Sequence, residues 1–219
     1  MNKDWSEQNK SIQSKLKKAS FAGAVRELLD LREKLMAEAL SWKDRLQPED
    51  YYAMPFPNAN GYHSKTVAYS LWHIARIEDI TVHSLIRNMP EVLFTEEYDK
   101  KTRSPIITTG NELTGREIAD FSKCLDTDAL YEYAMAVKSS TDEWLRGLKY
   151  EDLKRRFDEN DRKRLESLQV VSPHENAAWL MDYWCGKDVA GLIRMPLSRH
   201  WIMHIEAAGR IIDKIIAGR

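Results

Sequence analysis

Two histidines four residues apart, His200 and His204, lie in the apolar segment near the end of the sequence. Residues with this spacing share one face of an α-helix, so the two imidazoles can bind a single metal ion. A third histidine, His73, lies in the middle of another amphipathic segment. From a facing helix it would complete a three-histidine site with open positions for water or substrate. The sequence therefore predicts a metal site with His73, His200 and His204 as ligands.

The histidine pair is weak evidence by itself, because six histidines in a chain of this length produce about 0.16 such pairs by chance. Its position strengthens the prediction. Apolar residues of the last segment recur at alternating steps of three and four, and both histidines fall on that stripe. Imidazoles facing a helical core need partners for their nitrogens, and a shared metal ion supplies one. The alternative is a set of core histidines hydrogen-bonded to backbone or side-chain groups.

The other three histidines are expected to lie outside this site. His63, His73 and His83 are spaced ten residues apart, and ten residues leave successive side chains about 80° apart around a helix. They therefore cannot all face one ion. We expect His63 and His83 at the surface or rim, and His174 exposed near the start of a short helix.

No carboxylate is predicted to complete the set of ligands. On ideal helices Glu78 lies about 140° around from His73, and Glu206 about 120° around from His200. Surface ion pairs are the expected role of both glutamates. The predicted ligand set is therefore three neutral imidazoles, with water in the open positions.

Composition restricts the class of protein. Of the 219 residues, 31% are charged and 43% are apolar, as in soluble globular domains. The net charge of −1 gives no general attraction to nucleic acid. No apolar run approaches the ~18 residues of a membrane span, and the first residues lack the apolar segment of a secretory signal. We therefore expect a cytoplasmic protein that binds neither nucleic acid nor membranes.

Almost every strong periodic pattern in the chain is helical, which predicts an all-α fold. We expect a polar N-terminal helix or arm over residues 1–19 and a single four-helix bundle domain over residues 20–219. The long second and third connections favour an up-down-down-up order of helices. The four long helices are predicted at 20–47, 64–87, 128–146 and 196–218, with Pro196 opening the last one.

Short helices are predicted within the connections. Thr114 and Glu117 form a capping-box pattern. The run SPHE at 172–175 places an N-cap, a proline at N1 and a glutamate at N3. The segment 149–166 is mostly charged, so it is predicted to be a solvated helix or pair of turns.

Three segments carry a family resemblance: SLWHIARIEDITVH, TGNELTGREIADFSKCLD and MPLSRHWIMHIEAAGRI. With the helix spacing between them, they resemble the DinB-like (DinB/YfiT-like) superfamily of four-helix-bundle metalloenzymes over residues 20–217. The resemblance implies an up-down-down-up bundle that forms a homodimer. It also implies a metal triad at His73, His200 and His204. The segment 149–195 is longer than in compact members of the superfamily.

The resemblance also implies a reaction class. Characterised branches of the superfamily use a metal to activate a low-molecular-weight thiol such as mycothiol or bacillithiol. We therefore expect a thiol S-transferase or hydrolase in which zinc or nickel activates water or such a thiol for attack on a small molecule. The alternative is a non-catalytic dimeric stress or binding protein whose histidines bind a metal only to brace the bundle.

Overall fold

The computed structural model describes residues 2–219, and that part of the chain is mostly helical, with no β-strand. One isolated bridge joins Arg156 to Asp188. The all-α prediction is therefore confirmed. Among the described residues, none of the helices has the length and apolar character needed to cross a membrane.

The α-helices are α1 (Lys3–Lys15), α2 (Phe21–Ser41), α3 (Val67–Asp79), α4 (Val92–Thr95), α5 (Tyr98–Lys101), α6 (Arg116–Cys124), α7 (Thr127–Gly147), α8 (Glu159–Ser167), α9 (Glu175–Cys185), α10 (Val189–Arg194) and α11 (His200–Ile216). Short 3-10 turns occupy Lys18–Ser20, Trp42–Asp44, Pro48–Tyr52, Gly61–His63 and Tyr150–Lys154. Two segments are π-helical, Ile80–Arg87 and Met195–Arg199.

The long helices α2, α3, α7 and α11 enclose the hydrophobic core. Helix α2 contacts α7 and α11, and α3 contacts the same two helices. Each presents an apolar stripe to the centre, such as Leu28, Leu31 and Leu35 of α2, all of which are buried. Burial of these stripes supplies most of the stability of such helices, since isolated helices are marginal in water. The polar helix α1 packs outside this group, along α2.

The long helices begin and end close to the predicted residues. Helix α3 starts after Thr66, whose hydroxyl accepts a hydrogen bond from the backbone N–H of Tyr69 at 3.0 Å. It continues through the π-helical segment to Arg87, and Asn88 then adopts a left-handed conformation with φ of 52°. Such a residue commonly ends a helix because it lets the chain turn away while satisfying the last carbonyls.

The start of the last helix differs from the prediction. Pro196 does not open it, because α10 continues through the π-helical segment Met195–Arg199 directly into α11. A proline has no N–H to donate and its ring crowds the preceding turn, and the wider π-helical turn accommodates both effects. The wide turn lies immediately before His200.

Two predicted helix starts are also shifted. Helix α9 has His174 rather than Ser172 as its N-cap, with the imidazole accepting from a backbone N–H. The Glu117 carboxylate accepts from the backbone N–H of Thr114 at 2.9 Å, as a capping box requires, but the residue preceding α6 is Gly115. In both cases the sequence predicts the position of the turn correctly and the first helical residue wrongly. Helix ends commonly shift by about one or two residues.

Candidate metal centre

The structure brings the three predicted ligand residues together. His73 lies on α3 and His200 and His204 lie on α11, which packs against α3. One nitrogen of each imidazole lies within 4.8 Å of one nitrogen of each of the other two. The ring centres are 5.0 Å apart for His73 and His200, 4.7 Å for His73 and His204, and 4.5 Å for the pair on α11. All three side chains are buried.

The cluster fits a divalent ion. Imidazole nitrogens bind zinc at about 2.0–2.1 Å, which places the nitrogens around one ion roughly 3–3.5 Å from each other. The three nitrogens lie within 4.8 Å of one another, so binding one ion requires them to approach by at most about 1.8 Å. Three imidazoles without a thiolate suit zinc, nickel and similar first-row ions.

Two nitrogens in the cluster have no hydrogen-bond partner. They are the Nδ1 atoms of His200 and His204, both buried. Leaving a buried polar atom unpaired costs about 1–3 kcal/mol, so such atoms are rare in native proteins. An ion bound at these two nitrogens would supply the polar partner that they lack.

The orientation of His73 is set by the backbone. Its Nδ1 lies 2.8 Å from the carbonyl oxygen of Thr109. A carbonyl can only accept, so Nδ1 carries the proton and the lone pair of Nε2 is free to bind a metal. Histidines that bind metals usually make such an outer hydrogen bond. A structural core histidine would also make this hydrogen bond to a backbone carbonyl. The same hydrogen bond is the one that a metal-binding histidine needs.

The loop that contains Thr109 is held in place by α3. Four successive carbonyls of the loop accept hydrogen bonds from side chains on one face of that helix, at spacings of three or four residues. The bonds run from Arg76 to Ile107 (2.6 Å), from Trp72 to Thr108 (3.0 Å), from His73 to Thr109 (2.8 Å) and from Tyr69 to Gly110 (3.0 Å). The carbonyl that orients His73 is thus one of four successive carbonyls that are hydrogen-bonded to α3.

Gly110 offers a test of this loop. It has φ of +80°, and an added Cβ would lie 3.0 Å from Cε2 of Tyr69, the ring that stacks on His73. We expect Gly110→Ala to weaken metal binding about tenfold, the lower range for outer-shell changes. Isothermal titration with zinc measures this effect. The matched control is Gly115→Ala, also at positive φ (+49°) but with no atom within 4 Å of the new Cβ. Equal zinc affinities for the two variants would show that the loop does not orient His73.

Electrostatics keep the three imidazoles neutral. The pKa of His73 is lowered to about 4, chiefly by burial; Lys65 also lowers it, and the hydrogen bond to the Thr109 carbonyl raises it. Burial also lowers the pKa of His200 and His204 well below the usual value, and the neighbouring histidines add to this effect. Neutral imidazoles have a free lone pair, the form that binds metals.

These shifts predict how the stability of the metal-free protein depends on pH. Each pKa is lower in the folded than in the unfolded state, so the unfolded chain takes up protons first as the pH falls. The stabilisation is fully present above about pH 6.5 and decreases toward pH 4. For His73 alone the expected loss from pH 7 to pH 5 is about 2 kcal/mol. Urea unfolding at the two pH values measures it. His73→Gln should reduce the loss, and an unchanged loss would contradict the assignment.

A cavity of about 370 Å³ opens over the three histidines. Most of its wall is aromatic or apolar, and its polar residues include Lys65 and Asn111. The ring of Tyr62 packs edge-on against His204, with centres 4.8 Å apart. Burial lowers the pKa of the Lys65 ammonium. The aromatic and apolar wall residues include Tyr62, Tyr69, Ile77, Trp179, Tyr183, Trp184 and Met195.

Part of this wall comes from the long segment before the last helix. Trp179, Tyr183 and Trp184 lie on α9, within the 149–195 segment. The sequence alone predicts no role for that segment at the site. The sequence does contain a signal for these wall residues, because aromatic residues recur there at helical spacing. Aromatic residues with that spacing more often pack in the core.

The remaining histidines lie outside the cluster. His63 is half-buried and His174 is exposed, as predicted. The prediction for His83 is wrong: it is buried, with Nε2 2.8 Å from the Ser140 hydroxyl. The reason is that the π-helical segment packs the face that carries His83 against α7, where Ser140 lies.

The prediction for Glu78 is also wrong, since its side chain is fully buried. Both carboxylate oxygens accept from Arg32, at 2.6 and 2.8 Å, and one also accepts from the indole N–H of Trp201 at 2.7 Å. Arg32 donates in addition to Asp142 at 2.6 Å. The network joins α2, α3, α7 and α11 beside His200. Its signal in the sequence was a single arginine within the apolar stripe of α2.

Comparisons with known proteins bear on the fold. No family model matches the sequence, and no curated protein matches it. Among solved structures, the chain is similar to a conserved protein from Enterococcus faecalis, with a TM-score of 0.57 and 18% identity. The match covers 91% of this chain and 98% of that one. At this identity the likeness concerns the all-helical fold alone.

Proposed function

We propose that the protein is a metal-dependent enzyme of the DinB-like superfamily whose divalent ion, zinc or nickel, is bound by His73, His200 and His204. The observation that carries the proposal is the pair of buried, unpartnered Nδ1 atoms in a cluster of three neutral imidazoles. Three protein ligands leave open positions on the ion, which is typical of catalytic rather than structural zinc sites.

The proposal includes a four-helix bundle in up-down-down-up order, built from α2, α3, α7 and α11. The contacts of α2 and α3 with the same two partners support this arrangement. The long connection that contains α4–α6 supplies the crossover between the parallel second and third helices that this order requires. The homodimer and the cytoplasmic location stay predictions from the sequence.

When bound, an ion of this kind lowers the pKa of water or a thiol in an open position and polarises a substrate. The residues of the chain surround the open position on the ion. Burial keeps the imidazoles neutral, the Thr109 carbonyl orients His73, and aromatic side chains line the cavity. We propose that a small-molecule substrate in the cavity is attacked by water or by a low-molecular-weight thiol, in a hydrolysis or a transfer.

X-ray absorption at the zinc edge tests this proposal. The zinc-loaded protein is expected to show three imidazole nitrogens and at least one oxygen from water. A low-molecular-weight thiol, with cysteine as the probe, is expected to add a sulfur at about 2.3 Å, the usual zinc–thiolate distance. A shell closed by protein ligands and unchanged by cysteine would favour the bracing role, in which the histidines only stabilise the bundle. In that case removal of the ion by a chelator should also lower the melting temperature substantially.

A further inference from the structure

The cavity over the three histidines lacks negative charge. No aspartate or glutamate is among the residues that line it within the described part of the chain, whereas Lys65 is. The three imidazoles are neutral, so they would leave the charge of a bound divalent ion uncompensated. Charges held away from water need a compensating partner. An anionic ligand of this cavity would supply it.

Lys65 is a cation without an ion-pair partner. The buried cations of the core, Arg32, Arg76 and Lys138, each contact a carboxylate. Lys65 is half-buried, yet within residues 2–219 it forms neither an ion pair nor a hydrogen bond through its side chain. Its Nζ lies 4.8 Å from the centre of the Tyr69 ring.

The Tyr69 ring connects this ammonium to the metal cluster. It stacks on the imidazole of His73, with ring centres 5.4 Å apart and planes 13° apart. The Tyr69 ring therefore separates Lys65 from the three histidines, and Lys65 lies on the wall of the same cavity. A single ligand can contact both.

The rest of the wall presents uncovered aromatic surface. Trp179 is 51% exposed and Tyr62 is 38% exposed, although both line the cavity. Trp179 is held by a hydrogen bond from its indole N–H to the Asn176 carbonyl at 2.9 Å and by an edge contact with Tyr183. Fixed aromatic side chains of this kind bind apolar groups at a low cost in conformational entropy. A volume of about 370 Å³ is near the lower limit for small-molecule sites.

We infer that this cavity binds a compact organic carboxylate with an aromatic or other apolar body, its anionic group near Lys65 and its body against Trp179. The inference deepens the proposed function and rests on it, since it assigns a substrate class to the same site. Lys65 and Trp179 are the residues that determine this specificity.

The test compares an acid with its neutral amide. Phenylacetate and phenylacetamide are titrated calorimetrically into the zinc-loaded wild-type protein and the Lys65→Gln variant. We expect wild type to prefer the acid, and Lys65→Gln to bind it about tenfold more weakly, as for loss of a hydrogen bond to a charged group. Amide binding should not change. The matched control is Lys101→Gln, because Lys101 Nζ also lies 4.8 Å from a tyrosine ring, that of Tyr98, but away from the cavity.

A second variant tests the aromatic wall. Trp179→Ala is expected to weaken phenylacetate binding about tenfold and to leave acetate binding unchanged, because acetate has no ring to pack there. Since Trp179 is half exposed, this substitution should leave the fold intact, and the unfolding transition verifies that.

The outcomes separate the inference from the function on which it rests. Zinc content is measured for every sample. If wild type does not retain zinc, the proposed function is wrong and the inference falls with it. If zinc is retained, the inference alone is overturned when wild type binds the acid no more tightly than the amide. Equal affinities of wild type and Lys65→Gln for phenylacetate would overturn it as well.

Discussion

Replacing His204 with alanine is expected to abolish stoichiometric metal binding. His204 is buried beside His73 and His200, and its removal leaves two imidazoles to hold the ion. Changes to outer-shell partners alone cost about 10–100-fold in metal affinity, so loss of a ligand should cost more than about 100-fold. Competition with a chelating dye, followed by elemental analysis after dialysis, measures the loss.

Two further variants make this result interpretable. His204→Gln keeps a polar side chain of similar size and should also lose the ion, so a loss seen with both variants does not reflect the space left by alanine. His174→Ala is the matched control, because His174 is exposed and lies outside the cluster. Unchanged metal content in the His204 variants would rule out this site.

Replacing Glu78 with alanine is expected to destabilise the fold by about 3–5 kcal/mol, the range for removal of one partner of a buried ion pair. The substitution leaves Arg32 fully buried with Asp142 as its remaining carboxylate, and it removes the acceptor of the Trp201 indole. Urea unfolding of the metal-free protein measures the change in the free energy of unfolding. Because Trp201 adjoins His200, we also expect weaker zinc binding.

The control for Glu78 breaks an exposed ion pair. Asp213 contacts Arg45 at 2.8 Å, with the Asp213 side chain largely exposed and the Arg45 side chain partly exposed. Asp213→Ala should therefore change the free energy of unfolding by less than about 1 kcal/mol. A Glu78→Ala effect as small as that of Asp213→Ala would show that the buried network contributes little to the stability of the fold.

The features predicted correctly from the sequence are local ones. The side-chain spacing of a helix follows from its geometry, so an apolar stripe gives both the helix and its inward face. His200 and His204 share that face because they are four residues apart. To predict that His73 lies beside them, one must also assume that the two helices face each other. In the structure the three histidines do cluster, as that assumption requires.

The features that were missed depend on contacts between distant parts of the chain. The helical angle of Glu78 relative to His73 gives the direction of its side chain but not what lies there. Its partner Arg32 comes from another helix. The Thr109 carbonyl that orients His73 is a backbone atom, so no residue type indicates it. The sequence predicts a helix start at Pro196, whereas the structure has a π-helical turn there. Such a turn has no simple sequence pattern.

Anomalous X-ray scattering from crystals of the protein, purified without a histidine tag, tests the central claim most directly. The claim is that three imidazoles from two facing helices bind one ion. The predicted result is one anomalous peak per chain, bonded to nitrogens of His73, His200 and His204, with an absorption edge that identifies zinc or nickel. Protein from metal-replete growth that shows no peak at these nitrogens, or a peak only elsewhere, would contradict it.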